Sequence, residues 1–337
     1  MVIDAFPINY EIDLALFRIQ YLGSVVDKFV IGEAALTHTG IPKERLFRNY
    51  MKENHKKFDN VEILNISLSE EASDWENEIS TREQIKKFVF DQYPNDYFIL
   101  SDLDEIPSIN QVKALVSDME TYHFLTPTYY GFANLKILDP KHQLWKRGVM
   151  GHTSLPLGKN AGRFENLPTL SCKEDGAHFS WLQINGLDLQ KKLVSTPHSE
   201  LRIQDISSQE LFRFAMYYHV DHLGRFDMPG NGLLECLPSD KFNHVQVKLF
   251  EFNPKVFCVD PKQHSRMIRL FASLIVTSIY RFPGFRSNLF STFILKKYTV
   301  ARIVRSFFVL SYFFFLVQIK KFIRKLRSMK RRLPISI

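Results

Sequence analysis

Tyr97-Phe98-Ile99-Leu100-Ser101-Asp102-Leu103-Asp104-Glu105-Ile106-Pro107 is the stretch that decides the fold of this chain. Its apolar lead reads as a strand buried on both faces, as in a parallel sheet. Pro107 has no N–H to give to a ladder, so the strand is expected to end at the acidic cluster. Open α/β sheets bind ligands outside the carboxyl ends of their strands. Asp102 and Asp104 therefore stand at an expected ligand-binding edge. Carboxylates at that spacing can share a hard divalent cation with the phosphate oxygens of a substrate. An isolated Asp-x-Asp is most often a solvated acidic turn. The strand before it and Glu105-Ile106-Pro107 after it argue for a site.

Working outward from that stretch, residues 80–93 repeat apolar side chains at Ile85, Phe88 and Val89, which predicts a helix with Arg82 near its start. Residues 61–66, 28–32 and 2–6 read as strands. The second of these ends at Glu33. From Asn9 the apolar positions Ile12, Leu16 and Ile19 have helical spacing. Asn9 suits the N-cap of that helix, and Glu11 its first turn. On the other side, 111–121 is expected to be helical and 123–130 extended. Strands alternating with helices over roughly 130 residues indicate an α/β fold, a mainly parallel doubly wound sheet with flanking helices. Residues 144–170 are rich in Gly, Pro and Asn and are expected to be loops over the site. Residues 177–182 alternate like a strand, 187–193 could start a helix, and 212–220 are apolar enough for core.

The 337 residues are 45% hydrophobic and 24% charged, ordinary for a folded chain. Cys172, Cys236 and Cys258 are odd in number and include no C-x-x-C pair. Neither a zinc site nor a disulfide framework is expected from them, and a reducing compartment fits. Met1-Val2-Ile3-Asp4 has neither a basic start nor a long apolar run, so no secretory signal is expected. The net charge of +8 divides unevenly. Residues 261–337 hold 17 Lys and Arg and no acid, leaving 27 basic against 36 acidic residues in 1–260. Two parts follow, a body of 1–260 and a basic, aromatic helical tail of 261–337. The acidic body argues against nucleic acid as a partner. In the tail, the uncharged run 307–319 is shorter than the ~20 residues of a spanning helix. Lys320, Lys321, Arg324, Lys325 and Arg327 follow it, and the apolar positions from Ile319 onward share one helical face. That pattern fits a helix lying on an anionic membrane surface. The run 270–280 could lie in the same plane.

Several segments, in order, resemble glycosyltransferase family 17. They are Asn9-Tyr10-Glu11-Ile12-Asp13-Leu14 with Arg18, Val26-Asp27-Lys28-Phe29-Val30 with Glu33, Thr39-Gly40-Ile41-Pro42, Arg82, and Asp102 to Pro107. Tyr130-Gly131-Phe132, Gly176 with His178-Phe179-Ser180-Trp181, and Lys192-Leu193-Val194-Ser195 complete the set, which spans roughly 3–260. Ala177 stands where family members often carry a bulky residue, and 230–254 matches poorly. The basic tail is not part of the family pattern. The resemblance implies a GT-A fold, a UDP-sugar donor (UDP-N-acetylglucosamine first), a divalent metal (Mn²⁺ or Mg²⁺) and inverting transfer to a glycan or lipid-linked oligosaccharide. A membrane-associated enzyme on the cytoplasmic face would meet such an acceptor.

The resemblance also implies roles. Asp104 is the first choice for metal ligation, with Asp102 on the ribose or a metal-bound water. His178 could complete the metal site, or could be a hydrogen-bonded core histidine. Asn9, Glu11, Asp13 and Glu33 would hold the nucleoside, and Arg82 the diphosphate. The bland alternatives are helix-start carboxylates and an Arg82–Glu78 surface pair. Glu105 could equally cap a turn, and Trp181 could stack on a sugar or fill core. His219 and His222 lack an H-E-x-x-H frame and read as structural or acceptor-side. Inverting transfer needs a general base. Asp175 leads Glu174, Asp221 and Glu200 for that role because it precedes Gly176 and His178. Two other classes remain: a catalytically silent glycan- or nucleotide-sugar-binding protein on the same fold, and a metal-dependent phosphohydrolase, for which no further motif is seen.

Overall fold

The computed structural model describes residues 1–117, 119–172, 176–182, 208–221, 233–258 and 265–281, together with Lys192, Ser195 and Pro197. Met1–Arg281 forms one compact unit. The basic tail beyond Arg281, and all of the 187–193 segment except Lys192, lie outside the described residues.

The fold is α/β, built on a seven-stranded sheet. Its centre is parallel: β1 (Val2–Ile8), β2 (Lys28–Ala34), β3 (Val61–Ile66) and β4 (Tyr97–Leu100) lie in the spatial order β4-β1-β2-β3. Strands β1, β2 and β4 are buried along nearly their whole length and are mainly apolar, while β3 at the sheet edge is only partly covered and carries Glu62 and Asn65. Phe6, Phe29, Ile31 and Ile99 pack on one side with α1 (Ile12–Leu22), and Ile3, Ala5, Val30, Phe98 and Leu100 on the other with Ile85 and Val89 of α3 (Asp74–Gln92). Gly32 is required there, because a Cβ would stand 2.6 Å from Cδ1 of Ile85.

Helix α3 begins six residues before the expected 80–93 span. Ser73 accepts from the N–H of Glu76, and the Glu76 carboxylate accepts in return from Ser73, a capping box that holds an otherwise exposed, polar first turn. The short α2 (Leu46–Asn54) is held at its start by Glu33, whose carboxylate accepts from the N–H groups of Phe47 (3.0 Å) and Arg48 (2.9 Å). A second capping box, Ser108 with Gln111, starts α4 (Ile109–Leu115), which is shorter than the expected 111–121.

The chain departs most from expectation after α4. The single extended stretch 123–130 is two strands in two sheets, β6 (Tyr122–Phe124) and β7 (Thr126–Tyr130), with a change of sheet at Leu125. Part of 144–170, expected as loops, is also strand. Within it β9 (Leu144–Trp145) pairs β7, β10 (Val149–His152) runs antiparallel to β4 and β6, and β11 (Thr169–Leu170) runs beside β6. The second sheet joins β5 (Glu105–Ile106), β12 (Ala177–Ser180), β7, β8 (Leu135–Ile137) and β13 (Leu234–Cys236). A strand of only two residues, β5, thus links the acidic turn to a second sheet, and the end of the first sheet becomes the floor of a cleft.

Helices α5 (Ser208–Tyr217), α6 (His244–Phe252) and α7 (Arg266–Arg281) complete the unit. Helix α6 packs on α1, with the Phe17 and Phe252 rings 5.6 Å apart. Helix α7 covers the first part of the basic region. It buries Ala272, Ile275 and Val276, while Met267 stays exposed. Among the described residues, no helix is long and apolar enough to cross a membrane.

Candidate active site

The acidic turn is fixed from below by a buried arginine. Arg18 reaches from α1 to Asp4 of β1 in a bidentate pair (Nε–Oδ2 2.8 Å, Nη2–Oδ1 2.6 Å), with both side chains fully buried. Its remaining N–H groups donate to the main-chain oxygens of Asp102 (2.8 Å), Leu103 (3.2 Å) and Glu105 (3.0 Å), and to Ser101 Oγ (2.8 Å). One guanidinium thus holds three carbonyls of the turn, and Phe6 lies beneath it at 4.5 Å. Such a platform holds the side chains of Asp102 and Asp104 in register with little freedom.

Asp102 faces cations. Arg82 forks onto both of its oxygens (3.1 Å each from Nη2), and Arg163 donates to Oδ2 at 2.8 Å. Burial would raise this carboxyl, but Arg163 and Arg82 outweigh it and hold the group well below the usual carboxylate range. The expected Arg82–Glu78 pair is also present, at 2.5 Å, so Arg82 bridges Glu78 and Asp102. Both Asp102 oxygens accept from guanidinium groups, so the metal or ribose expected there from the sequence would share this carboxylate with Arg82 and Arg163. Arg163 also holds Glu105 (2.7 Å to Oε1, 3.2 Å to Oε2), and Trp145 donates to the same carboxylate through Nε1. The Glu105 carboxylate caps the turn as well, accepting the N–H of Asp102 at 3.1 Å.

Asp104 is different. No arginine hydrogen-bonds it among the described residues, and the imidazole of His178 stands beside it, with Nε2 3.9 Å from Oδ1. Burial pushes the carboxyl up, Lys192 pulls against it, and Asp102, Glu105 and Glu11 push it further, to about 7. Backbone pairing produces this juxtaposition. Strand β12 runs antiparallel to β5 with His178 opposite Glu105, and the Phe179 N–H donates to Asp104 O at 2.9 Å. Gly176 lets the strands close, since a Cβ there would meet Ile106 O at 1.9 Å. The Trp145 ring lies 4.4 Å from the His178 ring, stacked at a 30° tilt.

These groups line a cleft of about 450 Å³. Its walls bring together Asn9, Glu11, Arg82, Asp102, Asp104 and His178, all expected at the site, with Lys43, Arg147, Arg163 and Lys192. Lys192 pairs with Glu11 at 3.0 Å and stands 5.5 Å over the Trp181 ring, so Trp181 lines the cleft but shares its face with a cation. Glu11 is raised by burial but lowered more by Lys192 and by backbone N–H groups, and stays ionised. Trp181 has a left-handed φ of 59°, a strain that tends to collect at functional sites.

Other expected residues fall elsewhere. Glu33 is fully buried at the amino end of α2, and Asp13 lies in the first turn of α1; neither lines the cleft. Asp221 is buried next to the bridge between Val220 and Leu233, also away from the cleft lining. Asp175, Glu174, Glu200 and His222 lie outside the described residues. Sequence reasoning missed Arg163, Trp145, Lys43 and Arg147. Arg163 follows three left-handed residues, Asn160 (φ 53°), Ala161 (φ 51°) and Gly162 (φ 68°), in a turn tied by the Ala161 N–H to Glu83 at 3.0 Å.

With this geometry in view, the comparisons with known proteins are specific. Residues 1–130 match glycosyltransferase family 17. That stretch contains Arg18, Arg82, Asp102, Asp104 and Glu105, so the family resemblance read from the sequence is borne out over the first half of the segments that carried it. Beta-1,4-mannosyl-glycoprotein 4-beta-N-acetylglucosaminyltransferase of Rattus norvegicus is 31% identical over 124 residues, which are 34% of this chain and 23% of the relative. The Homo sapiens protein of the same name is 30% identical over 124 residues, with the same coverage. The aligned region therefore spans less than a quarter of the length of these relatives.

Proposed function

We propose that this chain is a metal-dependent inverting glycosyltransferase of GT-A type, using UDP-N-acetylglucosamine as donor and a glycan or lipid-linked oligosaccharide as acceptor. The observation that carries this reading is the cleft itself: one carboxylate held free of arginine, Asp104, beside an imidazole and under a rim of guanidinium and ammonium groups. The match of residues 1–130 to the family supports it.

The donor set fits a divalent cation. Asp104 is crowded by Asp102, Glu105 and Glu11, and that crowding is relieved by a positive charge placed beside it. A carboxylate with an imidazole suits Mn²⁺ better than Mg²⁺, which prefers oxygen ligands alone. Asp104 and His178 would hold the metal, which when bound neutralises charge on the leaving diphosphate. Arg82 and Arg163 keep Asp102 ionised, and with Arg147 and Lys43 they would form an electropositive wall for the donor's phosphates. Asn9 and Glu11, at the carboxyl end of β1, stand where a nucleoside would lie. The acceptor hydroxyl loses its proton to a carboxylate, and Asp175 is the proposed base because it lies just before Gly176 and His178 in the sequence.

The basic aromatic tail is proposed to hold the enzyme at the cytoplasmic face of a membrane, which would confine it with a lipid-linked acceptor on one surface. The test of the activity is a panel of nucleotide sugars incubated with the full chain and Mn²⁺. Turnover of UDP-N-acetylglucosamine above the other donors supports the reading. Binding without any donor hydrolysis or transfer would instead indicate a silent binding protein.

A further inference from the structure

No C-x-x-C pair exists in the sequence, yet the fold brings two of the three cysteines to one place. Cys236 ends β13, and Cys258 follows α6 by six residues. His219 follows α5. The ligand atoms of His219, Cys236 and Cys258 all lie within 4.8 Å of one another, and Cys258 Sγ is 3.9 Å from His219 Nε2. Around a tetrahedral Zn²⁺, bonds of about 2.3 Å to sulfur and 2.0–2.1 Å to nitrogen place the donors somewhat under 4 Å apart. The present spacing is thus a slightly opened version of that arrangement.

The surroundings are arranged for the same purpose. His219 and Cys236 are buried. His219 adopts a left-handed φ of 51°, an uncommon conformation for a residue other than glycine. That conformation is over-determined: its N–H donates to Met216 O at 3.1 Å, and its carbonyl accepts from the Leu234 N–H at 2.8 Å. Asn134 ties both cysteine segments together. Its amide donates to Cys236 Sγ at 3.4 Å and to Cys258 O at 3.1 Å, and its carbonyl accepts the Cys258 N–H at 2.8 Å. An amide N–H aimed at a sulfur stabilises the thiolate form, and outer partners of this kind orient metal ligands.

We infer that His219, Cys236 and Cys258 form a Zn²⁺-binding site, separate from the proposed catalytic cleft. None of the three lines that cleft. Soft thiolates with an imidazole select Zn²⁺ over Mn²⁺ and Mg²⁺. Binding converts two thiols to thiolates and releases two protons, so the bound centre is neutral overall and needs no buried counter-ion. The metal would clamp the ends of α5, β13 and the segment after α6, the region that closes the second sheet opposite β5.

The test uses the full chain purified in reduced form. Metal content is measured after dialysis, and Co²⁺ is then titrated into the chelated protein. The expected result is one retained Zn²⁺ per chain and a Co²⁺ form with thiolate charge-transfer absorption and the visible bands of a tetrahedral centre. C236S and C258S should each abolish the charge-transfer band. D104N should leave it intact, which separates this site from the cleft. Because a cysteine variant could misfold, N134A serves as the milder change and should weaken Zn²⁺ binding by about 10–100-fold. No retained metal, no charge-transfer band in the wild-type protein, or a band that survives both cysteine variants overturns the inference. A Cys236–Cys258 disulfide that persists in the presence of reductant, found by peptide mapping after alkylation of free thiols, overturns it equally.

Discussion

Replacing Asp104 by Asn should stabilise the metal-free protein. In the fold, burial and the neighbouring acids move this carboxyl from its ordinary 3.8 to about 7. A displacement of that size corresponds to about 4 kcal/mol at 1.36 kcal/mol per pH unit. A quarter of the side chain remains exposed, and solvent screening reduces the effect to about 1–3 kcal/mol. The sign follows from linkage. The folded state binds the proton more tightly than the unfolded chain, so the contribution of the protonated carboxyl is complete below about 4. It is lost as pH rises through about 7. Asn has the same shape and does not titrate. In chelator, the midpoint of thermal unfolding of D104N should exceed that of the wild type by a few degrees at pH 8, since 1 kcal/mol shifts a 150–250-residue domain by roughly 2–4 °C and a larger chain by less. The gap should shrink as pH falls towards 5. Saturating Mn²⁺ should reverse the order at pH 8, because only the wild type retains the ligand. A variant less stable than the wild type in chelator, or a gap that does not change with pH, would refute the picture of Asp104 as a carboxylate crowded by like charge.

Other outcomes follow from the same geometry. Arg18→Leu should cost about 3–5 kcal/mol, because it leaves Asp4 buried without its partner and releases the carbonyls of the acidic turn; denaturant unfolding of the wild type and variant measures this. R163A should lower donor affinity and raise the exposure of Asp102 and Glu105, read as a higher KM for the nucleotide sugar and a smaller unfolding free energy. H178A should lose metal affinity more than stability, and excess Mn²⁺ should restore part of its activity; a fall in thermal stability that metal does not restore would make His178 a core residue. A chain ending at Arg281 should stay in the soluble fraction when the full chain sediments with membranes, and unchanged sedimentation would remove the tail from membrane binding.

Much of the first sheet was legible because its strands are mainly apolar runs between helix and turn signals. β1, β2, β3 and β4 fall where 2–6, 28–32, 61–66 and the run before Asp102 suggested. The second sheet was legible only in part. The alternation of 177–182 marks β12 and the extended 123–130 contains β7, but β5, β8 and β13 are two or three residues long and carry no local period. Residues 123–130 have the composition of one strand, and only tertiary pairing divides them at Leu125. The Ser73–Glu76 capping box could have moved the start of α3 earlier, but its first turn has no apolar face to complete the signal.

At the site, the Asp102–Asp104 pair and its sheet edge were readable, while the division of labour between the two acids was not. It depends on Arg163, which reaches Asp102 from 61 residues away through a strained turn. Glu33 shows the converse. A carboxylate just past a strand suits a nucleoside or a helix start equally well, and only the positions of the Phe47 and Arg48 N–H groups decide between them.

The most direct measurement of the central reading is Mn²⁺-dependent release of UDP from UDP-N-acetylglucosamine by the wild-type chain and by D104A, with folding of both checked by thermal unfolding. The expected result is turnover by the wild type that stops on chelation and is absent in a folded D104A. Substantial Mn²⁺-dependent turnover by D104A would contradict it.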